Sequence, residues 1–474
     1  MTFSIYSFLF AAIVLLFFHI MIPGWRIYLL AAASMVYAYT LSPTAAFTIL
    51  AVTILSYVVS IAVEFLLKKE KNKCAVVLTG VAIALCILSL LVLKNAVFLN
   101  GRVPDKFISY LIIPIGFSYY IFQTIGYLCD VYEKKIPAEK NPVSLLLFLA
   151  WFPKLTSGPI ERKGNFSQQI QNIKNVRLFE KERWLNSVSY IVFGCFYKMM
   201  IADRIAPYAD ALFDKPNAYG SLWLIFGSLG YTVQIYCDFA GYTMMAIGVS
   251  LLFGIELSPN FHSPYCSQNI TEFWRRWHMS LSFFLRDYLY IPLGGNRKGK
   301  LRKIINTLIV FIVCGMWHGA GLSFVFWGLL HGIYSTFDAL IKKKGTFLRS
   351  GSPGRVITFI CVSTAWIFFK ASSLRSGLTY ITSIFTNIPM IKNNASDMAA
   401  MGINATEIWI LVFAVIVMIV IDIYMYRKND DIAHLSMKWS FEKRLIIFVL
   451  MAVAILIFGK YGPDTSGELI YMQF

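Results

Sequence analysis

An all-α, polytopic membrane protein is the fold that the sequence predicts, on three observations. Of 474 residues, 58% are hydrophobic and only 14% are charged. The mean hydropathy is +0.63, well outside the range of a soluble domain. Apolar runs long enough to cross a hydrocarbon core of about 30 Å recur along the whole chain. Together they predict roughly eleven to thirteen membrane-embedded helices, with short, broken or re-entrant ones in the middle.

The first run, Phe3–Ile22, has no basic segment before it, and Met21-Ile22-Pro23-Gly24 is a poor cleavage site. It reads as a retained span rather than a removed signal. Ala45–Leu67 and Ala75–Leu99 follow as plain spans rich in Leu, Ile, Val and Ala, and Ile408–Tyr426 and Leu445–Phe458 close the chain in the same style. Between Pro114 and Gly332 the apolar runs are interrupted by Pro, Gly, Trp, Arg, Asp and His. Irregular backbone at membrane depth survives only when buried in protein or lining a cavity, so this middle region is the expected functional core and the plain helices its wall. No fixed-period repeat or long polar segment marks a second domain, which predicts a single membrane domain over residues 1–474.

The eight cysteines are scattered without a C-x-x-C pair and read as small core residues, neither metal ligands nor a disulfide framework. The net charge of +18 does not point to nucleic acid, because the basic residues cluster beside apolar segments: Lys68–Lys73, Arg297–Lys303, Lys342–Arg355 and Arg427–Lys428. Basic loops stay on the cytoplasmic side. Placing all four inside puts three spans before the first cluster, Arg26 in a short inner loop, and both termini outside. Attraction to anionic lipid accounts for part of the charge as well. The polar stretch Arg162–Arg183 reads as an interfacial loop leading into an amphipathic helix, with Trp184 as its interface anchor.

Four places carry candidate chemistry. In Ile270–Asp287 (ITEFWRRWHMSLSFFLRD), helical spacing puts Trp274, Trp277, His278, Leu281 and Leu285 on one face and Arg275, Ser282 and Arg286 on the other, with Asn269 or Thr271 as the cap. The segment is either an interface helix whose arginines meet lipid headgroups or a site where Arg275 and Arg276 hold a phosphate-bearing donor. In Gly315–Gly332 (GMWHGAGLSFVFWGLLHG), His318 follows Trp317 at the end of an apolar run, and Gly319-Ala320-Gly321 lets the helix break there. A titratable imidazole in that setting defaults to a functional reading. His331, inside the next apolar run, reads instead as a helix-to-helix hydrogen bond. Asp238, in YCDFAGY, needs a partner, an arginine or a tyrosine hydroxyl, and serves either a buried hydrogen bond or catalysis. Pro153–Arg162 (PKLTSGPIER) is too broken for a span and is either a re-entrant turn or a simple loop. No H-E-x-x-H, no Cys/His cluster and no G-x-S-x-G elbow lies near the histidines, which leaves metal and serine hydrolysis unsupported. An imidazole beside a membrane passage can still take a proton from a hydroxyl that attacks a thioester carbonyl.

WFPKLTSGPIER (Trp151–Arg162), YTVQIYCDFAGYTMMAIGVSLLFGI (Tyr231–Ile255), ITEFWRRWHMSLSFFLRDYLYIPLGGNRKG (Ile270–Gly299) and the His318 stretch, in that order, resemble the membrane-bound O-acyltransferase superfamily. Within it, the sequence is most similar to the bacterial alginate O-acetyltransferase membrane-component branch, whose motifs match from about residue 110 to residue 334. The resemblance implies helices around a central tunnel, with His318 as general base and His278 positioning the reactants or stabilising the oxyanion. Trp274, Arg275, Arg276, Trp277, Asp238 and Trp317 would line the donor site or tunnel. The implied donor is acetyl-CoA or another acyl thioester, with no bound cofactor or metal. The implied setting is the plasma membrane. The acetyl group would pass to an extracellular or cell-envelope polysaccharide through a secreted or membrane-anchored SGNH-type acetyltransferase. The ending Leu469–Phe474 (LIYMQF) resembles that branch too, and makes Tyr471 either a transient acyl acceptor or part of a tail packed on the outer face. D-alanyl transfer to teichoic acid from a carrier-protein thioester is the close alternative, and a transporter the remote one. The lack of paired halves with matching broken helices weakens the transporter reading.

Overall fold

The computed structural model describes residues 5–94, 114–177, 179–341, 351–388, 401–402 and 404–461. Tyr471 and the rest of the ending therefore lie outside the described residues. Among those residues every regular element is a helix. Among the described residues, eight helices, or nine if one bent pair counts as a single span, are long and apolar enough to cross a membrane. The protein is thus an all-α, multi-pass membrane protein.

The helices group into two compact units, one of residues Met1–Ser187 and Ala246–Ser258, the other of Val188–Met245 and Pro259–Phe474. The first unit opens with α1 (Ile5–Met21) and α2 (Arg26–Leu41), which meet at 117° across the Pro23–Trp25 turn. The long spans α3 (Pro43–Lys68) and α4 (Asn72–Lys94) follow, then α5 (Phe117–Tyr132) and the short α6 (Pro142–Ala150). Arg26, at the bend, is buried and donates to the carbonyls of Ile173, Lys174 and Val176. The end of α3 is tied to the loop after α5 by an ion pair between Glu64 and Lys140.

After α6 the chain is irregular, and every residue from Trp151 to Glu161 is buried. A buried irregular backbone needs internal partners. Trp151 Nε1 donates to Ser250 Oγ at 2.9 Å, and the Lys154 ammonium reaches Gln123 Oε1 at 2.5 Å and the Phe148 carbonyl at 2.6 Å. Pro153–Arg162 therefore packs into the protein as a re-entrant turn would, not as a surface loop. The polar stretch after it departs from expectation: Lys163–Gln171 forms a helix, α7, where the sequence suggested a loop. Phe166 and Ile170, one turn apart, bury one side of it, and Lys163 is fixed by Glu139, Ser144 and Ser167.

The second unit contains most of α8 (Lys181–Cys195), a π-helical turn over Phe196–Ala202, α9 (Asp203–Asp214) and the larger part of α10 (Ser221–Leu252). Two short helices, α11 (Ile270–Arg276) and α12 (Met279–Leu285), precede the antiparallel pair α13 (Gly299–His318) and α14 (Leu322–Ile341). Next come α15 (Gly351–Lys370), α16 (Leu374–Thr386), α17 (Ala405–Lys428), α18 (Ile432–Met437) and α19 (Phe441–Phe458). Two sets of helix ends identify opposite faces of this unit. Arg204 joins Glu407 at the start of α17 to the Phe458 carbonyl at the end of α19. Gln268 joins Tyr426 near the end of α17 to Gly351 at the start of α15.

Candidate active site

The segment Ile270–Asp287 is not one helix. Asn269 caps α11 by accepting from Glu272 N at 2.9 Å, whereas Thr271 is taken up by Asp338. Trp277 is then extended and His278 sits in the left-handed region at φ 40°, ψ 56°, so α12 starts afresh. The single apolar face expected for Trp274, Trp277, His278, Leu281 and Leu285 does not carry across this break. A non-glycine residue in that conformation costs about 1–3 kcal/mol and persists only where its surroundings dictate it. Here they do. His262 N donates to the Arg276 carbonyl at 3.0 Å, Met279 N to the Asn260 carbonyl at 2.9 Å, and Ser280 Oγ to Asn260 Oδ1 at 2.6 Å.

At the other side of the site, α13 ends on His318 because Gly319 leaves the helix in an extended conformation. The α13–α14 pair packs closely through glycine: a methyl at Gly315 would lie 2.3 Å from the Phe324 carbonyl oxygen, and one at Gly328 2.2 Å from that of Phe311. This closeness brings the His318 ring against Trp327 at 5.1 Å, with Phe369 of α15 also at 5.1 Å.

His278 and His318 are 1% and 3% exposed, and the fold gathers them around one indole. The Trp317 ring centroid lies 4.8 Å from that of His318 and 6.1 Å from that of His278, which rests edge-on against Phe239 at 4.7 Å. Trp277 stacks on Phe273 and meets Trp366. His331, by contrast, is a structural link: its Nδ1 accepts from Trp274 Nε1 at 3.2 Å. Since an indole only donates, the proton of the neutral His331 ring is on Nε2.

Asp238 has a partner in Lys198, a residue type its sequence context did not suggest. Its Oδ1 lies 2.6 Å from the ammonium of Lys198, which also reaches Asp203 at 2.8 Å. The π-helical turn places Lys198 there, one residue out of ordinary helical register. Asp422, on a helix read as plain wall, was missed. It is buried and accepts from Tyr197 and Tyr236 at 2.8 and 3.0 Å. The signal was present as a carboxylate inside the apolar run IVIDIYMY.

A polar cavity of about 750 Å³ adjoins the helix break, lined by Arg275, Arg276, His262, Asn269, Met279 and Asp430 among others. Arg276 is engaged by Glu272 at 3.0 Å and by His262 Nδ1 at 2.5 Å. Arg275 is exposed and makes no ion pair among the described residues. Burial and then the Arg276 charge lower the pKa of His262, and the Lys438 ammonium holds the Asp430 carboxyl below the usual range.

Fold and site together define a multi-pass membrane protein whose aromatic core encloses His278, His318 and His331. The chain belongs to the membrane-bound O-acyltransferase family, whose sequence pattern matches residues 29–382. It is 31% identical over 430 residues to a probable alginate O-acetylase of Azotobacter vinelandii, covering 83% of this chain and 84% of that protein. A probable alginate O-acetylase of Pseudomonas fluorescens is 40% identical over 282 residues, or 59% of this chain and 56% of that protein. A teichoic acid D-alanyltransferase of Bacillus subtilis is 30% identical over 294 residues, 59% of this chain and 73% of that protein.

Proposed function

We propose that this protein is an O-acyltransferase that moves acetyl groups from a cytoplasmic thioester across the plasma membrane, for O-acetylation of an extracellular or cell-envelope polysaccharide. The observation that carries the reading is the convergence of His278 and His318 on Trp317, from segments far apart in sequence. In the proposed reaction an imidazole nitrogen of His318 takes the proton of the acceptor hydroxyl, whose oxygen adds to the thioester carbonyl. The tetrahedral oxyanion is stabilised from His278, and its collapse expels the thiolate, which recovers the proton. The aromatic rings around His318 restrict water, so that the hydroxyl is the favoured acceptor and hydrolysis of the thioester is left as a slower side reaction that still releases thiol.

The donor, acetyl-CoA or a related thioester, is assigned to the polar cavity, with Arg275 as its phosphate contact and Arg276 on its wall, while Trp274 and Trp277, which do not line that cavity, belong to the aromatic core around the histidines. Asp238, paired to Lys198, and Trp317 hold the core behind it. Tyr471 is the proposed transient acceptor, from which an SGNH-type acetyltransferase passes the group to the polymer. Both termini are placed outside. The near full-length match to an alginate O-acetylase favours acetyl over D-alanyl transfer, as does the ending LIYMQF.

Purified protein is expected to release free thiol from acetyl-CoA, and the His318→Ala variant to lose at least a hundredfold of that rate, the scale of a general base. Equal turnover in the two preparations overturns the enzymatic reading.

A further inference from the structure

A second cavity, of about 590 Å³, lies in the second unit between α15 and α17. Its interior is mostly apolar, with Phe359, Met418, Ile419 and Ile423 on the walls, and Arg355 and Arg427 belong to its lining as well. Both arginines sit at the same helix-end face, Arg355 in the first turns of α15 and Arg427 in the last turn of α17. Neither makes an ion pair among the described residues, and the buried Nε of Arg355 has no hydrogen-bond partner. Asp422 lines the cavity too, but it is hydrogen-bonded to Tyr197 and Tyr236 and makes no ion pair with either arginine among the described residues.

The flanking surface is aliphatic. Val356 and Ile360 on α15, and Ile416 and Val420 on α17, are all more than half exposed, which in a membrane-spanning helix is contact with acyl chains. An apolar cavity open beside such a surface, with guanidinium groups at one end, has the polarity of a phospholipid: chain inward, phosphate at the basic end. Its volume falls within the range of ordinary small-molecule sites. The basic end is also where the charge pattern of the sequence places the cytoplasmic leaflet. We infer that this cavity binds one anionic glycerophospholipid, its phosphate held by Arg355 and Arg427 and an acyl chain seated against Phe359, Met418 and Ile423. The site is separate from the two histidines and stands whether or not the acyl-transfer reading does.

The test is native mass spectrometry of the full chain in detergent, titrated with palmitoyl-oleoyl phosphatidylglycerol or with phosphatidylcholine of the same chains. The wild type is expected to retain phosphatidylglycerol preferentially, and R355Q/R427Q to weaken that binding about thirtyfold, the effect of two basic side chains at an anionic surface. R427Q alone, on an exposed side chain, is expected to weaken it about fivefold and serves if the double variant does not survive purification. Ile423→Trp, which fills the cavity, is expected to lower retention without changing net charge. K298Q/K300Q, at another basic cluster, is expected to leave it unchanged. Equal retention of the two lipids, an equal loss in K298Q/K300Q, or equally tight binding of a dihexanoyl phosphatidylglycerol overturns the proposal.

Discussion

Arg275 and Arg276 are adjacent in sequence and differ in what their charge is available for. Arg276 is shared between Glu272 and His262, so its guanidinium already belongs to the protein. Arg275 is exposed on the same cavity and makes no ion pair among the described residues. An arginine held by its own protein positions neighbours, whereas an unpaired one binds ligand. Arg275→Gln is therefore expected to raise the KM for acetyl-CoA about tenfold, the loss of one charge-assisted contact, with little change in kcat. Steady-state thiol release measures both. His262 supplies a pH dependence. Its Nδ1 accepts from Arg276, which only an unprotonated ring nitrogen can do, and its pKa is lowered. Below the ordinary histidine value of about 6.5 the unfolded chain takes up a proton that the folded one refuses, so stability falls with pH and is level above it. The thermal midpoint is expected to be lower at pH 5.5 than at pH 7.5, and His262→Gln to shrink that difference.

At the scale of elements, the site depends on two helices that stop where ordinary periodicity would continue them. The break at His278 is supported from the Asn260–His262 segment, and the end of α13 at His318 by Gly319. The glycine contacts between α13 and α14 then set how closely His318 meets Trp327. Gly315→Ala places a methyl against the Phe324 carbonyl. Overpacking of this kind costs about 1–3 kcal/mol. It is expected to lower the thermal midpoint and thiol release together, while Gly80→Ala, inside α4 where the added methyl meets nothing within 4 Å, lowers neither. Differential scanning fluorimetry in detergent and the thiol assay read the two effects. Much of this was legible. The apolar runs and the glycines after His318 are local signals, and a helix end there follows from them. The break after Trp277 was not legible, because nothing in FWRRWHMSLS forbids a helix and the interrupting partners lie in another segment. The same is true of Lys198, whose meeting with Asp238 needs a π-helical turn that composition does not announce.

For the whole molecule, charge distribution predicts orientation and helix-end contacts provide a check on its parity. The end of α17 and the start of α15 share Gln268, while the start of α17, the end of α19 and Arg204 share another cluster. Reporter fusions are expected to show residue 299 on the cytoplasmic side and residue 460 outside; the reverse, or a shared side, removes the proposed path of the acyl group. The resemblance of its motifs to the family pairs His278 with His318, whereas composition and local pattern by themselves determined the solvent this chain folds in and its helical character. Those properties follow from composition and local spacing, which lipid and backbone hydrogen bonding read directly. Only the tertiary structure decided that the His278 ring meets Trp317, the neighbour of His318, that Arg276 is engaged while Arg275 makes no ion pair among the described residues, and that Asp238 answers to a lysine. Such pairings are set by packing between segments distant in the chain, and no local pattern encodes them.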